Sequence, residues 1–482
     1  MDIVFRKIRR LRSGGRFVLM VVFLSGLVFL GGCGGGGGDG GPEGDLGTFL
    51  GLLGDAGFQV REGAPIGIDV RDLFCRKVLP SGFGNNLATP YLTLSVDRLP
   101  GTPENQFPWT YRLRQDEALV LIGRTPPKSV YFSLQHFAAM RYFEEADYSG
   151  RVYSLLGDTI NHLTVRSVGA AAPFDSFFVM ISTGNRTTER RLRSALLGAG
   201  YAETAVNVEG LPAELVRFGL DERSDQFNLL YRVAIIDDPE AERRFYETFG
   251  GMKVFRVTPG VELPADPFPA ADLRERGTGT NEMHLLPTMK RLEDALIEAH
   301  PGYNVEKLPT AQWIADGYNP ILQNIDAFAA TNDTTYLITQ PFTLGEDDFL
   351  VAYGVLHDAA GKALYNSLNV YGWTLLEDLP DEPRFRGLRE MVGVSEANSK
   401  GLLRDSARAY LPGDPNAGMF YAVKISRKCG ADGCVPIPEP FCDRMKLKEL
   451  TVAFRAYCEP KTKTGPSYGE ILFDRVILFR RP

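Results

Sequence analysis

Glu117-Ala-Leu-Val-Leu-Ile-Gly123 and Asp348-Phe-Leu-Val-Ala-Tyr-Gly354 are the stretches that decide the fold. Each opens on a carboxylate, runs through apolar residues and closes on glycine, which reads as a short buried strand. A turn follows in both, Arg124 to Lys128 in one and His357 to Lys362 in the other. Next come Tyr131-Phe-Ser-Leu-Gln-His-Phe137 and Tyr365-Asn-Ser-Leu-Asn-Val-Tyr371. Alternate side chains of a strand share a face, so the tyrosine, the serine and the closing aromatic lie together. Farther on, Val179-Met-Ile-Ser182 matches Val423-Lys-Ile-Ser426. The same order at similar spacing, more than 230 residues apart, predicts an internal duplication.

Strand patterns surround the first copy. Tyr91 to Val96, Trp109 to Leu113, Ala118 to Ile122 and Val130 to Phe137 all read as extended, with Pro126-Pro127-Lys128 marking a turn. The middle of the chain has another texture. Thr187 or Thr188 caps a helix reaching about Leu197, Gln226 to Ile236 is a strand, and Asp237-Asp238-Pro239 opens a helix to Phe249. Lys253 to Val257 is a strand and Leu286 to Ala299 a helix. Leu450 to Tyr457 and Ile471 to Phe479 close the chain as an expected hairpin. The expected class is β-rich α+β: two related jelly-roll-like β-sandwich domains, 61–182 and 331–482, flanking a helix-containing α+β insert at 183–330.

The chain has 482 residues, 44% of them hydrophobic and 23% charged, so it can bury large cores without staples. Its net charge is −7, and with no basic excess to neutralise phosphates, nucleic acid is excluded as the main partner.

The N-terminus reads as a processing segment. Arg6, Lys7, Arg9, Arg10, Arg12 and Arg16 precede an apolar run from Phe17 to Leu30, short for a spanning helix and right for a signal-peptide core. The run ends in Leu30-Gly31-Gly32-Cys33, which resembles the lipobox of bacterial lipoproteins. The resemblance implies cleavage before Cys33 and acylation of that cysteine, with the lipid bilayer as partner. Loss of residues 1–32 removes six basic residues and one acidic residue, taking the net charge from −7 to −12, so acyl chains and not electrostatics hold the body at the membrane. Gly34 follows the cysteine in place of an aspartate, which by the family's sorting rule favours the outer membrane in a host with two. Gly34 to Gly47 reads as a flexible tether, part of a lipidated linker spanning 33–60.

Five cysteines remain beyond Cys33. Cys429, Cys434, Cys442 and Cys458 fall within 30 residues at spacings that do not suit zinc, so two local disulfides are expected outside the cytoplasm, with three pairings open and Cys75 left over.

Catalytic signatures are sparse. Gly465-Pro466-Ser467-Tyr468-Gly469 has the nucleophile-elbow spelling, but a strand follows and no histidine lies downstream. Glu346-Asp347-Asp348 and Asp378-Asp381-Glu382 lack calcium-loop spacing and read as solvated turns. The basic helix start at Arg186, Arg190, Arg191 and Arg193 reads as a solvated face. No metal site and no cofactor is expected. If the two copies pack about a pseudo-twofold axis, His136, His162 and His357, joined by Arg124, Tyr131, Asn161 and Tyr365, are the candidates for a shared ligand-binding cleft.

Gly123-Arg124-x-Pro126-Pro127 with Tyr131-Phe132-Ser133-Leu134, the later Tyr365-x-Ser367-Leu368-x-Val370-Tyr371, and Phe454-Arg455-Ala456-Tyr457 resemble uncharacterised bacterial proteins with paired jelly-roll domains of unknown function. The resemblance implies the fold and carries no activity. The leading expectation is a non-catalytic envelope lipoprotein that binds a small-molecule or protein ligand or serves a structural role. The alternative is an envelope hydrolase with its site between the β domains.

Overall fold

The computed structural model describes residues 43–79, 81–373, 391–430, 433–442, 447 and 449–482. Cys33, the leader, most of the tether and the Asp378 cluster lie outside the described residues. In chain order the elements are α1 (Leu46–Asp55), β1 (Phe58–Ile68), α2 (Val70–Cys75), β2 (Tyr91–Ser95), β3 (Ala118–Arg124), β4 (Ser129–Phe143), β5 (Tyr148–Leu155), β6 (Ile160–Asn161), β7 (Phe177–Thr183), α3 (Arg186–Gly198), β8 (Val206–Gly210), β9 (Gln226–Ile236), α4 (Pro239–Thr248) and β10 (Lys253–Pro259). The second half has α5 (Leu286–Glu298), β11 (Asn304–Gln312), α6 (Asn319–Leu322), β12 (Thr334–Thr339), β13 (Phe349–Val355), β14 (Tyr365–Trp373), β15 (Met391–Asn398), β16 (Phe420–Ser426), β17 (Cys434–Pro436), β18 (Glu449–Tyr457) and β19 (Arg475–Arg480).

The strands form two large sheets. The first runs β5-β4-β9-β2-β1-β10-β3-β7-β8, with β6 pairing β4, and the second runs β15-β14-β18-β12-β11-β19-β13-β16-β17. Apart from β6, the two orders are the same strand for strand when each half is counted from its own start. Even the parallel pair is reproduced, β7 with β8 and β16 with β17. The stretches 117–123 and 348–354 therefore fall on equivalent strands β3 and β13, and 131–137 and 365–371 on β4 and β14. The third match is displaced. Gly123 faces Phe178 while Gly354 faces Tyr421, so Val179 corresponds to Ala422 and not to Val423. A slip of one residue exchanges faces, so that likeness reflects two apolar strands and not a shared register.

Each sheet bends into two limbs because one strand serves both. β1 pairs β10 through Phe58–Gly63 and β2 through Ala64–Ile68. β11 divides likewise between β19 and β12. Alternate side chains of the two limbs meet in one core. In the first repeat Leu92, Phe132, Leu134 and Leu229 meet Leu119, Leu121, Met180 and Val254. In the second, Leu368, Val370 and Phe454 meet Leu350, Ile425 and Leu478. Helices cover the outer face of one limb in each repeat. α1 and α3 pack on Val120, Val179 and Ile181, and α5 packs on Phe349, Val351 and Ile477.

Several expectations are corrected. β8, β9 and β10 complete the first sheet, so 183–330 is no separate α+β insert; its helices α3 and α4 flank that sheet. The two C-terminal strands form no hairpin: β18 lies between β14 and β12, and β19 between β11 and β13. Structure starts before the glycine composition suggests, because Asp45 accepts from Thr48 N at 2.7 Å to cap α1, whose Phe49 and Leu53 are buried. The disulfides are Cys75–Cys442 and Cys429–Cys434, and Cys458 is a buried free thiol. Local spacing favoured pairs within the C-terminal cluster, but Cys75 reaches that cluster from α2, 367 residues away.

That reach reflects an exchange of connectors. The segment between β1 and β2 crosses to the second repeat, where Phe74 enters the core and Leu87 N donates to Asn369 Oδ1 at 3.0 Å. The segment between β11 and β12 crosses the other way. There Ala327 N and Ala329 N donate to Val152 O and Tyr153 O, both at 3.0 Å, beside a buried Arg141–Asp225 pair that also holds Ile321 O.

Candidate functional site

The limbs carrying β4, β9 and β2 in one repeat and β14, β18 and β12 in the other turn their outer faces toward each other. Alternation sets what those faces hold. Tyr231 and Val233 enter the first core, so Arg232 between them points out; Phe454 enters the second core, so Arg455 points out. Arg232 sits opposite Tyr91 and Ser133, and Arg455 opposite Tyr336 and Ser367, which makes the two sets equivalent. Between them lies a small, partly open pocket with room for about one water molecule, whose walls include Tyr91, Arg232, Trp313, Tyr336, Arg455 and Tyr457.

The two arginines are held by crossed hydrogen bonds. Arg232 Nη2 donates to Ala329 O at 2.6 Å, and Arg455 Nη2 donates to Gly84 O at 3.0 Å. Gly84 and Ala329 are equivalent, each following a phenylalanine (Phe83, Phe328) and preceding Tyr91 or Tyr336 by the same interval. Both have positive φ, +94° and +59°, and for the alanine this costs roughly 1–2 kcal/mol. Each repeat thus bends its connector to offer a carbonyl to the other repeat's arginine. Aromatic rings complete the setting. Arg232 lies 5.7 and 5.4 Å from the rings of Tyr91 and Phe137, and Arg455 5.4, 5.9 and 5.8 Å from Trp313, Tyr336 and Tyr371.

These are buried cations, with only 5% of Arg232 and 2% of Arg455 exposed. Among the described residues neither forms an ion pair with a carboxylate; of the other buried arginines, Arg141 and Arg256 do, and Arg112 instead donates to Glu104 O and Asn105 Oδ1. A guanidinium stays charged, so burial without a counter-ion costs several kcal/mol. Carbonyls and π faces offset part of that, at roughly 2 kcal/mol per desolvated ring. Arg455 Nη1 still lacks an acceptor. The surrounding phenols are neutral: burial pushes Tyr457 well up and Tyr371 up to about 12.

Four of the sequence candidates meet at this same contact but are packed against one another and do not line the cavity. Tyr131 Oη and Asn161 Nδ2 both donate to Asp333 Oδ2, at 2.8 and 2.9 Å. Tyr131 lies 6.3 Å from Tyr365 and 6.0 Å from His162, ring to ring, and Tyr365 stacks on Tyr457 at 4.5 Å. Burial lowers His162 to about 4, against the pull of Asp333. The other three are elsewhere. His136 lies inside the first sandwich, its Nδ1 2.5 Å from Glu209 Oε2. His357 belongs to the second repeat, its Nδ1 2.8 Å from Glu282 Oε1 and its Nε2 3.7 Å from Asp474 Oδ2. Arg124 is on the surface with Glu43 and donates to Asp175 O at 3.1 Å. The expected convergence of all seven residues on one cleft is therefore corrected: the pseudo-twofold contact gathers Tyr131, Tyr365, Asn161 and His162 and leaves the rest apart.

Sequence reasoning missed Arg232, Arg455, Tyr91, Tyr336 and Trp313. A signal was present, since an arginine stands in the middle of each of two otherwise apolar strands, Leu229-Leu-Tyr-Arg232-Val-Ala-Ile and Val452-Ala-Phe-Arg455-Ala-Tyr. Among the described residues no cluster of three or more histidines, cysteines or carboxylates is placed to hold a metal ion. Of the acidic turn at 346–348, Asp347 pairs with Lys428 and Asp348 with Arg480.

No described protein family matches the chain, and no curated protein matches it. Two solved structures are similar over most of their length. An uncharacterised protein of Burkholderia cenocepacia is 9% identical, with 90% of this chain and 87% of that chain covered and a TM-score of 0.37. A protein of Vibrio parahaemolyticus is also 9% identical, with 82% and 90% covered and a TM-score of 0.35.

Proposed function

We propose that this chain is a cell-envelope lipoprotein, acylated at Cys33, whose paired jelly-roll-like sandwiches form a non-catalytic module binding a small ligand in the cavity between the repeats. One observation carries the reading: the cavity wall is built from equivalent residues of both repeats, Tyr91 with Tyr336 and Arg232 with Arg455, and its two cations have no carboxylate partner. The wall offers charge and aromatic surface but no histidine and no carboxylate to move a proton, which favours binding over catalysis.

A thermal-shift screen of the full chain in mild detergent, spanning sugars, amino acids, organic acids and inorganic salts, tests the binding half. At least one saturable stabiliser is expected, worth about 2.7 kcal/mol at a hundred times its Kd, and its effect should vanish in Arg455→Gln. A screen without any such stabiliser overturns the reading. For the anchor, Cys33→Ala should abolish palmitate labelling and release the protein from membranes, and labelling that persists would refute acylation there.

A further inference from the structure

We infer that the ligand held between the repeats is a compact anion of single charge, of the size of chloride. The inference rests on the binding reading above and narrows it to one chemical class. Three features of the cavity lead to it.

The first is charge. Arg232 and Arg455 bring two guanidiniums to the pocket from the two facing sheets, and among the described residues neither has an anionic partner. Like charges repel strongly where water is scarce, and an anion between them converts that repulsion into attraction. The second is the unused donor. Arg455 commits Nη2 to Gly84 O and to Tyr371 Oη at 2.6 Å, while its Nη1 is buried with no acceptor. A buried donor of this kind is costly while it lacks an acceptor, and an anion would satisfy it. The third is size. The pocket has room for about one water molecule. Trp313, Tyr336 and Tyr457 close the remaining wall with rings, and burial keeps the Tyr457 phenol neutral, so it does not repel an anion. A carboxylic acid with a carbon skeleton or a phosphate ester exceeds that room. Desolvation cost rises with the square of the charge, which disfavours sulfate and phosphate at a site with so few open donors.

The test uses the full chain, exchanged into gluconate at fixed ionic strength. Chloride and bromide are expected to raise the unfolding midpoint saturably, while sulfate, phosphate and succinate do not. Arg455→Gln should weaken the chloride effect at least tenfold. Bromide soaked into crystals should give an anomalous signal between Arg232 and Arg455. If Arg455→Gln does not fold, the bromide signal decides alone, and its absence from the cavity overturns the inference. If succinate or sulfate stabilises in an Arg455-dependent way and chloride does not, the compact-anion claim fails while ligand binding stands. If no anion and no neutral solute stabilises, both fail.

Discussion

Replacing His357 by glutamine should flatten the loss of stability between pH 7 and pH 9. Burial alone would pull this imidazole down, but Glu282 at 2.8 Å and Asp474 at 3.7 Å outweigh it and raise it from 6.5 to about 10. Asp474 is itself fixed by Tyr421 Oη at 2.5 Å, and Glu282 also accepts from Leu472 N at 2.8 Å, so neither carboxylate can swing away. The folded chain thus keeps a proton that the unfolded chain gives up above pH 6.5. The stabilisation is fully present below 6.5 and is lost as pH rises through 10. One proton of difference is worth about 1.4 kcal/mol per pH unit, which gives roughly 2–3 kcal/mol between pH 7 and pH 9. The glutamine variant starts lower by about 3–5 kcal/mol because it strands two buried carboxylates, yet it should lack this slope. The buried Cys458 thiol, also pushed up by burial, adds a decline above its ordinary range in both proteins. The quantity to measure is therefore the difference between wild type and variant in urea-unfolding free energy at pH 7, 8 and 9, with disulfides intact. Parallel slopes in the two proteins would refute the assignment of a bridging imidazolium.

His162 works in the opposite direction: burial depresses it to about 4, so its contribution is present above pH 6.5 and is lost as pH falls toward 4. His162→Leu should spare about 2 kcal/mol of the loss between pH 6.5 and 4.5 relative to wild type, read from urea midpoints. The two disulfides should differ in worth, because the Cys75–Cys442 link closes 367 residues and the Cys429–Cys434 link closes 5. The chain-entropy relation gives about 5–6 kcal/mol for the first and about 2 kcal/mol for the second, to be checked by unfolding each double-alanine variant. Tyr131→Phe removes a buried donor 2.8 Å from Asp333 and should cost about 1–3 kcal/mol, whereas Tyr365→Phe loses contacts with neutral hydroxyls only, Thr89 at 3.5 Å and Tyr457, and should cost less, about 1 kcal/mol. Equal losses in a denaturant titration would contradict that difference between equivalent tyrosines.

The duplication was legible because burial constrains spelling. β3 and β13 are covered on both faces and must be apolar throughout, and β4 and β14 repeat Tyr-x-Ser at the same positions. Helices α3, α4 and α5 were legible from their periodicity, and Asp238 caps α4 ahead of Pro239 as read, but the cap of α3 is Asn185 and not Thr187 or Thr188, whose backbone N–H groups it accepts. The sheet to which β8, β9 and β10 belong was not, because strand order depends on contacts far apart in sequence. The cavity was hidden for a related reason. His136 and His357 stand in similar stretches, but alternation buries His136 inside its own sandwich, while Arg232 and Arg455 reach the contact from strands the matched stretches do not include. Cys75 escaped assignment because its partner lies across the exchanged connector.

That exchange makes the proposed binding a property of the pair of repeats. Arg232 finds its carbonyl at Ala329 of the second repeat, and Arg455 finds its own at Gly84 of the first, so a repeat by itself would leave its arginine facing water and its connector without a sheet to lie on. The cavity has no existence within either repeat. Symmetry alone would make its two ends alike, but the copies have diverged where rings meet guanidiniums. Phe137 becomes Tyr371, whose hydroxyl holds Arg455 and donates to Asn85 O at 2.5 Å, and Ile68, opposite Tyr91, becomes Trp313, opposite Tyr336. Both changes add aromatic or polar contact around Arg455, the residue that keeps a buried donor unspent. Fold maintenance alone gives no reason for enriching one arginine's surroundings while leaving that donor open. An anion at the Arg455 end of the cavity does, which is why Arg455→Gln should weaken binding more than Arg232→Gln when the two are titrated with chloride side by side.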